Sequence, residues 1–147
     1  MTRLLLDAML GRLATYLRMC GYDAAYALDR GVEDDDRLLA WAREEDRRLV
    51  TRDVTLARRS DDALLVESKD IDDQLRRLRE ARFDLTLDEP ERCAACNGPL
   101  ERVPDGDPTP EYAPNSADRP VWRCRDCGQH FWRGSHWDDV RERLADL

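Results

Sequence analysis

The first 82 residues alternate between short apolar runs and longer segments with helical spacing. After the apolar run 4–6, Leu10, Leu13 and Leu17 recur at helical intervals, and Gly21 ends that segment. Strands separated by helices of this length form parallel βαβ units, and right-handed crossovers place helices on both faces of the sheet. The predicted strands are 3–6, 23–27, 47–53 and 63–67, and the predicted helices are 9–21, 34–46, 54–59 and 70–81.

This alternation predicts an α/β fold in which residues 1–88 form a three-layer α/β/α domain with a mainly parallel sheet. Residues 83–92 are interpreted as a linker. Residues 89–147 form a second, smaller unit, in which five of the seven prolines fall between residues 104 and 120 and exclude a regular element there. A short helix over 136–147 closes the chain, and Ser135 is its expected N-cap.

Four of the five cysteines form two pairs, each with two residues between its members and a glycine shortly after it. Such turns aim two thiolates at one ion, so the two pairs predict a closed, structural zinc site with iron as the main rival. Two disulfides are one alternative, which is disfavoured in a chain without an export signal. A redox pair is another, which is disfavoured because two copies with flanking glycines are present. Cys20, on the apolar face of the first helix, is expected to pack in the core. The predicted ligands are Cys93, Cys96, Cys124 and Cys127.

Acidic residues recur at equivalent places in the alternating region. Asp7 follows the first strand, Asp53 follows the third, and residues 34–36 open a helix. The carboxyl ends of parallel strands share one edge, and carboxylates gathered there repel one another unless a cation neutralises them. Oxygen ligands without histidine favour Mg²⁺ or Mn²⁺, which can support hydrolysis of a phosphodiester. The alternative is that these acids only cap helices.

The composition sets few limits on the partner. The net charge is −8, and Lys69 is the only lysine. Local patches decide nucleic-acid binding, so this charge does not exclude RNA. The chain contains no apolar run of 18 residues and no signal-peptide pattern, which predicts a soluble cytoplasmic protein without a membrane span.

Three stretches and the paired cysteines resemble the Mut-seven C-terminal RNase family. The stretches are LLLDAMLGRLATYLRMCGYD, DDDRLLAWAREEDRRLVTRD and FWRGSHW, and the resemblance extends from residue 4 to residue 137. Members of that family join a PIN-like nuclease fold to a zinc ribbon, so the resemblance implies a metal-dependent ribonuclease. It matches Asp7 and Asp53 with the strand-end acids of the family. It places the helix-opening acid within residues 34–36, with Asp35 preferred over Asp36.

A fourth acid is common in PIN nucleases. Asp70, Asp72 and Asp73 lie in the corresponding region, but none of them matches a motif sharply.

Several basic and aromatic side chains are candidates for binding RNA. Residues 119–133 contain four arginines, one acid and three aromatic residues, a combination that suits phosphate contact and base stacking, with Arg123 and Arg125 as the candidates. The alternative is that the aromatic residues form the small core of the ribbon. Arg12 and Arg52 are predicted to hold a phosphate, or else to be ordinary surface and strand-end residues, and a role for His136 in RNA contact is a further possibility.

The sequence therefore predicts a Mg²⁺- or Mn²⁺-dependent ribonuclease whose structural zinc ribbon helps to bind RNA. The alternatives are a non-catalytic adaptor that binds RNA or protein, and a toxin-type nuclease.

Overall fold

The computed structural model describes residues 2–147. None of the helices in this range has the length and apolar character needed to cross a bilayer. A single 3-10 turn, Ala27–Arg30, follows the second strand. The elements, in chain order, are β1 (Arg3–Leu6), α1 (Gly11–Met19), β2 (Asp23–Tyr26), α2 (Asp35–Glu44), β3 (Arg48–Thr51), α3 (Val54–Arg58), β4 (Leu64–Leu65), α4 (Ile71–Glu80), β5 (Leu100–Arg102), β6 (Trp122–Cys124), β7 (His130–Phe131) and α5 (Ser135–Ala145).

The first four strands form one sheet in the order β2-β1-β3-β4, and every pair in it is parallel. Strand β1 lies between β2 and β3, with Leu6 opposite both Tyr26 and Val50. The predicted α/β fold with a parallel sheet is confirmed. A second sheet, β5-β6-β7, is antiparallel and belongs to the cysteine-bearing unit.

The unbroken apolar run of β1 reflects burial on both faces of the sheet. Leu4 and Leu6 pack into the core formed with α1 and α4, whereas Leu5 points to the opposite face and packs with α2 and α3. All three leucines are fully buried. Helices on both faces leave no polar face for β1, so its sequence is continuously apolar rather than alternating.

Two local predictions were wrong. Helix α1 begins at Gly11, two residues later than expected, and Met9 lies outside it in an exposed, left-handed conformation with φ of 73°. The segment 83–92 is more than a linker, because Phe83 and Leu85 are buried in the α1/α4 core.

The C-terminal helix packs against the first unit instead of extending away from it. Val140 and Leu144 of α5 belong to the same core as α1 and α4. Arg143 contacts Asp72 at the start of α4, at 2.6 Å. Helix α5 is thus the third helix on this face of the sheet. Because α5 shares the core of the first unit, the division of the chain at residue 88 stays a proposal.

The cysteine-bearing unit docks at the amino end of the sheet through buried polar contacts. Asn97 accepts a hydrogen bond from the backbone N–H of Ala24 at 2.9 Å and donates one to the carboxylate of Asp23 at 2.7 Å. Arg18, almost fully buried on α1, donates to the carbonyls of Ala24 and Ala94. These contacts join α1 and β2 to the cysteine-bearing unit at the amino edge of the sheet. The carboxyl ends of β1 and β3 lie at the opposite edge.

We predict that Asn97→Gly loosens this docking and leaves both units folded. Glycine keeps the left-handed conformation of residue 97, with φ of 72°, and removes only the side chain. Loss of the Asn97 oxygen leaves the Ala24 N–H without its acceptor, at a cost of about 1–3 kcal/mol. Hydrogen exchange of the Ala24 amide is therefore expected to accelerate. Asn97→Ala, which adds backbone strain, should destabilise further. An Ala24 amide that exchanges as slowly in Asn97→Gly as in the wild type would contradict this role.

Candidate functional site

Asp7 lies directly beyond β1, and its carboxylate is fixed by two neighbours. One oxygen accepts a hydrogen bond from the N–H of Ala8 at 2.7 Å, and the other accepts one from the hydroxyl of Thr51 at 2.8 Å. Thr51 is fully buried at the end of β3, while Asp7 is half-buried. A half-buried carboxylate held at both oxygens is pre-oriented, as a metal ligand requires.

Asp53 is coupled to Asp7 through the same threonine. The Thr51 hydroxyl oxygen accepts a hydrogen bond from the Asp53 N–H at 3.0 Å while it donates to Asp7. One carboxylate oxygen of Asp53, Oδ1, caps α3 by accepting from the N–H groups of Thr55 and Leu56. The alternative prediction that Asp53 caps a helix therefore holds, and the cap engages Oδ1 alone.

Asp7 and Asp53 lie beside the point in the sheet where the connections from β1 and to β3 lead to opposite sides. The connection from β1 runs through α1 to β2 on one side, and β3 lies on the other side of β1. In open α/β sheets, ligands bind at this switch point, outside the carboxyl ends of the strands. Helices α1 to α4 each follow a parallel strand, so their N-termini face the same edge and favour an anion there.

The helix-opening acids also lie at this edge and have partners of their own. Asp34 is the N-cap of α2 and accepts from the N–H of Arg37 at 3.1 Å. Asp36 forms an ion pair with Arg59, whose pKa is raised mainly by the hydrogen bond to that carboxylate. Asp35 is half-buried in the first turn of α2. Within residues 2–147, these acids do not form a group of three ligand atoms within 4.8 Å.

The three candidates for a fourth acid all have partners at the start of α4. Asp70 caps α4, Asp73 contacts Arg76 at 2.9 Å, and Asp72 pairs with Arg143 of α5. These contacts give each acid a structural role at the start of α4.

The two predicted phosphate-binding arginines near the edge differ in their surroundings. Arg12 is exposed on α1, with its guanidinium 5.8 Å from the centre of the Tyr16 ring. Arg52 is half-buried and donates to the carbonyl of Glu67 at 3.4 Å. Arg12 is therefore the more exposed of the two cations near the acidic edge.

The four paired cysteines converge in the second unit, as the spacing predicts. Their sulfurs all lie within 4.8 Å of one another. The Cys93 and Cys127 sulfurs are 3.7 Å apart, and those of Cys96 and Cys124 are 3.5 Å apart. Four thiolates about 2.3 Å from one tetrahedral ion would be separated by about 3.8 Å. The cluster could therefore hold a metal such as zinc.

The two cysteine turns use different residues for the same backbone conformation. Gly128, just after Cys127, has φ of 80°, as the flanking glycine predicts. In the first turn the equivalent residue is Asn97, not Gly98. Gly98 instead allows the backbone of the first cysteine turn to lie close to Cys124 of the second. A β-carbon at residue 98 would lie 2.8 Å from the sulfur of Cys124.

The thiols of the cluster differ in acidity. Burial raises the pKa of Cys96. Burial also acts on Cys124, but hydrogen bonds from the N–H groups of Cys127 and Asp126 hold the pKa of its thiol below the ordinary value. A bound cation would favour the thiolate at every position, so metal binding must release protons.

The basic strip of residues 119–133 is partly neutralised. Arg123 and Arg125 are exposed, and both pair with Glu101 of the neighbouring strand β5, at 2.8 and 3.2 Å. Trp122 is buried, and the guanidinium groups of Arg102 and Arg133 lie 5.5 and 5.3 Å from the centre of its ring. Sequence spacing does not reveal Glu101 as their partner, because the pairing of β5 with β6 brings together residues that are 22 and 24 positions apart.

Comparison with known proteins gives one match. A family model described as the Mut7-C RNAse domain matches residues 2–144, which is nearly the whole chain. Searches of curated proteins and of solved structures find no match.

We predict about one zinc ion per chain, bound by the four cysteines. Cys96→Ser should abolish stoichiometric binding and loosen residues 93–134, because the small antiparallel sheet has little core without metal. Binding should weaken as the pH falls, since protons compete for the thiolates. Metal analysis and competition with a chromogenic chelator measure both effects. A folded second unit that contains no metal would contradict the assignment.

Proposed function

The chain belongs to the Mut7-C RNAse domain family, and we propose that it is a Mg²⁺- or Mn²⁺-dependent ribonuclease. The observation that carries this proposal is the link from Asp7 to Asp53 through the hydroxyl of Thr51 at the switch point of a parallel sheet. The link supports the proposal because it joins the acids that follow two neighbouring parallel strands, and ligands bind outside the carboxyl ends of such strands.

We propose that Asp7 and Asp53 hold the catalytic cation, with Asp35 or Asp36 as a further acid. Mg²⁺ characteristically uses one or two carboxylates and completes its shell with water and substrate phosphates, so two linked acids suit it. Asp53 offers Oδ2 for this purpose while Oδ1 caps α3. The ion would supply charge stabilisation at the phosphate and a more acidic bound water.

In the proposed reaction, the chain binds the RNA backbone beside this edge and water is added across one phosphodiester bond. The water oxygen joins phosphorus, the bond from phosphorus to the leaving ribose oxygen breaks, and that oxygen takes up a proton. The N-termini of the surrounding helices and Arg12 are placed to attract the phosphate. The hydrogen bond from the Thr51 hydroxyl keeps the Asp7 carboxylate oriented.

We assign the four cysteines to a structural zinc ion, because a Cys₄ site leaves no open coordination position. The proposed role of this unit is to help bind RNA. A cytoplasmic location stays a prediction.

The competing function is that of a non-catalytic adaptor. Asp34, Asp53 and Asp70 all cap helices, which is the role that this reading gives them. The two functions predict opposite responses to divalent ions.

We predict that Asp7→Asn and Asp53→Asn abolish cleavage of RNA and leave the fold intact. Asparagine caps a helix about as well as aspartate, so Asp53→Asn should cost little stability. Added Mn²⁺ should raise the melting temperature of the wild type by mass action and raise that of either variant much less. Cleavage assays and a melting series with and without Mn²⁺ provide the readouts.

Asp34→Asn is the matched control, because Asp34 caps α2 as Asp53 caps α3. It should keep both the cleavage activity and the response to Mn²⁺. Equal melting temperatures with and without Mn²⁺ in the wild type, together with undiminished cleavage by Asp7→Asn, would support the adaptor instead.

We also predict that Glu101 limits the affinity of the basic strip for RNA. Glu101→Gln should release Arg123 and Arg125, tighten binding and steepen its salt dependence by about one unit of slope. Arg123→Ala with Arg125→Ala should weaken binding and flatten the slope. Fluorescence anisotropy of a labelled single-stranded RNA across a salt titration tests this, and a slope unchanged in all variants would assign the strip to packing alone.

A further inference from the structure

A cavity of about 270 Å³ lies at the junction of the cysteine-bearing unit, the start of α5 and the C-terminal end of α1. Its wall includes the aromatic residues Tyr112, Phe131, Trp132 and Trp137. The rings of Tyr112 and Trp132 lie 6.2 Å apart and are inclined by 34°. Its size approaches the range of about 300–1,000 Å³ for small-molecule sites, and its aromatic wall is typical of them.

Two residues that line this cavity each have a buried nitrogen atom. Among the described residues, neither Nε1 of Trp137 nor Nδ1 of His130 has a hydrogen-bond partner. Trp137 is only 5% exposed, so the burial of its indole N–H leaves a donor unsatisfied. Buried polar groups are rarely left in this state, and both of these nitrogens belong to residues that line one cavity.

The first turn of α5 adds a place for an anion. The N-cap of this 11-residue helix is Gly134, and no side chain among residues 2–147 caps it. Ser135, the expected cap, is instead the first helical residue, so the prediction was wrong. The N–H groups of the first turn therefore remain available beside the cavity, whose wall includes Gly134, Ser135 and His136. Asp138 in this turn is exposed and lies 3.9 Å from Arg141.

We propose that this cavity and the uncapped start of α5 form a subsite for one nucleotide of single-stranded RNA. The base enters the aromatic cavity, where an acceptor on its edge meets the Trp137 indole N–H and a second polar atom meets Nδ1 of His130. The phosphate of the same nucleotide rests on the N–H groups at the start of α5. A base with a linked phosphate is a ligand that satisfies the aromatic wall, both nitrogens and the helix end together.

The subsite is separate from the acidic edge. Helix α5 runs from the cavity to the contact of Arg143 with Asp72 at the start of α4, a length of about 16 Å for 11 residues. The nucleotide held here is therefore not the one that is cleaved. The subsite anchors the RNA strand, and it rests on the proposed ribonuclease function for taking RNA as its ligand. Its loss should raise KM and leave kcat largely unchanged.

The test is a nuclear magnetic resonance titration of the full-length, zinc-loaded chain, followed through the assigned indole N–H signals of its four tryptophans. Nucleoside monophosphates and a short single-stranded RNA should shift the Trp137 signal. Ribose 5-phosphate, which lacks a base, should not shift it. The Trp41 signal is the internal control, because Trp41 is also buried but lies outside the cavity.

Ser135→Asp and Ser135→Asn form the matched pair of variants. An acid in the first turn favours the helix, so Ser135→Asp should fold normally, yet it should weaken binding of a monophosphate about tenfold by repelling the phosphate. Ser135→Asn, which adds no charge, should bind as the wild type does. Equal affinity in the two variants would overturn the phosphate contact.

The remaining outcomes separate this subsite from the proposed catalytic function. An unmoved Trp137 signal with both RNA and monophosphates overturns the subsite, even if the chain cleaves RNA. A shift with free monophosphates but none with single-stranded RNA overturns RNA as its ligand. A shift of Trp137 with RNA, weakened by Ser135→Asp, supports the subsite even in a chain that proves unable to cleave.

Discussion

The architecture depends on the parallel pairing of β1 with both β2 and β3. Parallel strands must be joined by crossovers, so every helix from α1 to α4 starts at the carboxyl edge of the sheet and ends near the amino edge. The two edges consequently differ. The carboxyl edge collects helix N-termini and acids, and the amino edge receives the cysteine-bearing unit through Asn97, Asp23 and Arg18.

The acids of the carboxyl edge show how one residue can serve both structure and chemistry. Asp53 caps α3 with Oδ1 while its backbone N–H binds Thr51. Capping makes Asp53 stabilising, and it also fixes the position of the carboxylate. A helix cap is therefore no argument against metal binding here, and the response of stability to divalent ions is the property that separates the two roles.

Docking of the second unit connects its cysteine cluster to the first unit. Asn97 adopts the left-handed conformation that completes the first cysteine turn, and its side chain holds the edge of β2. The carboxyl of Asp23 is partly buried, which acts to raise its pKa, but hydrogen bonds from Asn97 and Arg47 hold that pKa below its ordinary value. This contribution to stability is present at neutral pH and is lost as the pH falls through the lowered pKa of Asp23.

The sequence by itself determined the order and type of the main elements, the convergence of the four cysteines and the family. Each depends on information that is local in the chain: an apolar period, a turn residue or the spacing of a cysteine pair. The tertiary structure alone decided that Thr51 joins Asp7 to Asp53, that Glu101 neutralises Arg123 and Arg125, and that α5 packs beside α1 and α4. It also decided that Trp137 and His130 line one cavity and that each has a nitrogen without a partner among residues 2–147. These contacts join residues far apart in sequence, and their partners follow from strand register and helix packing, which no local period encodes.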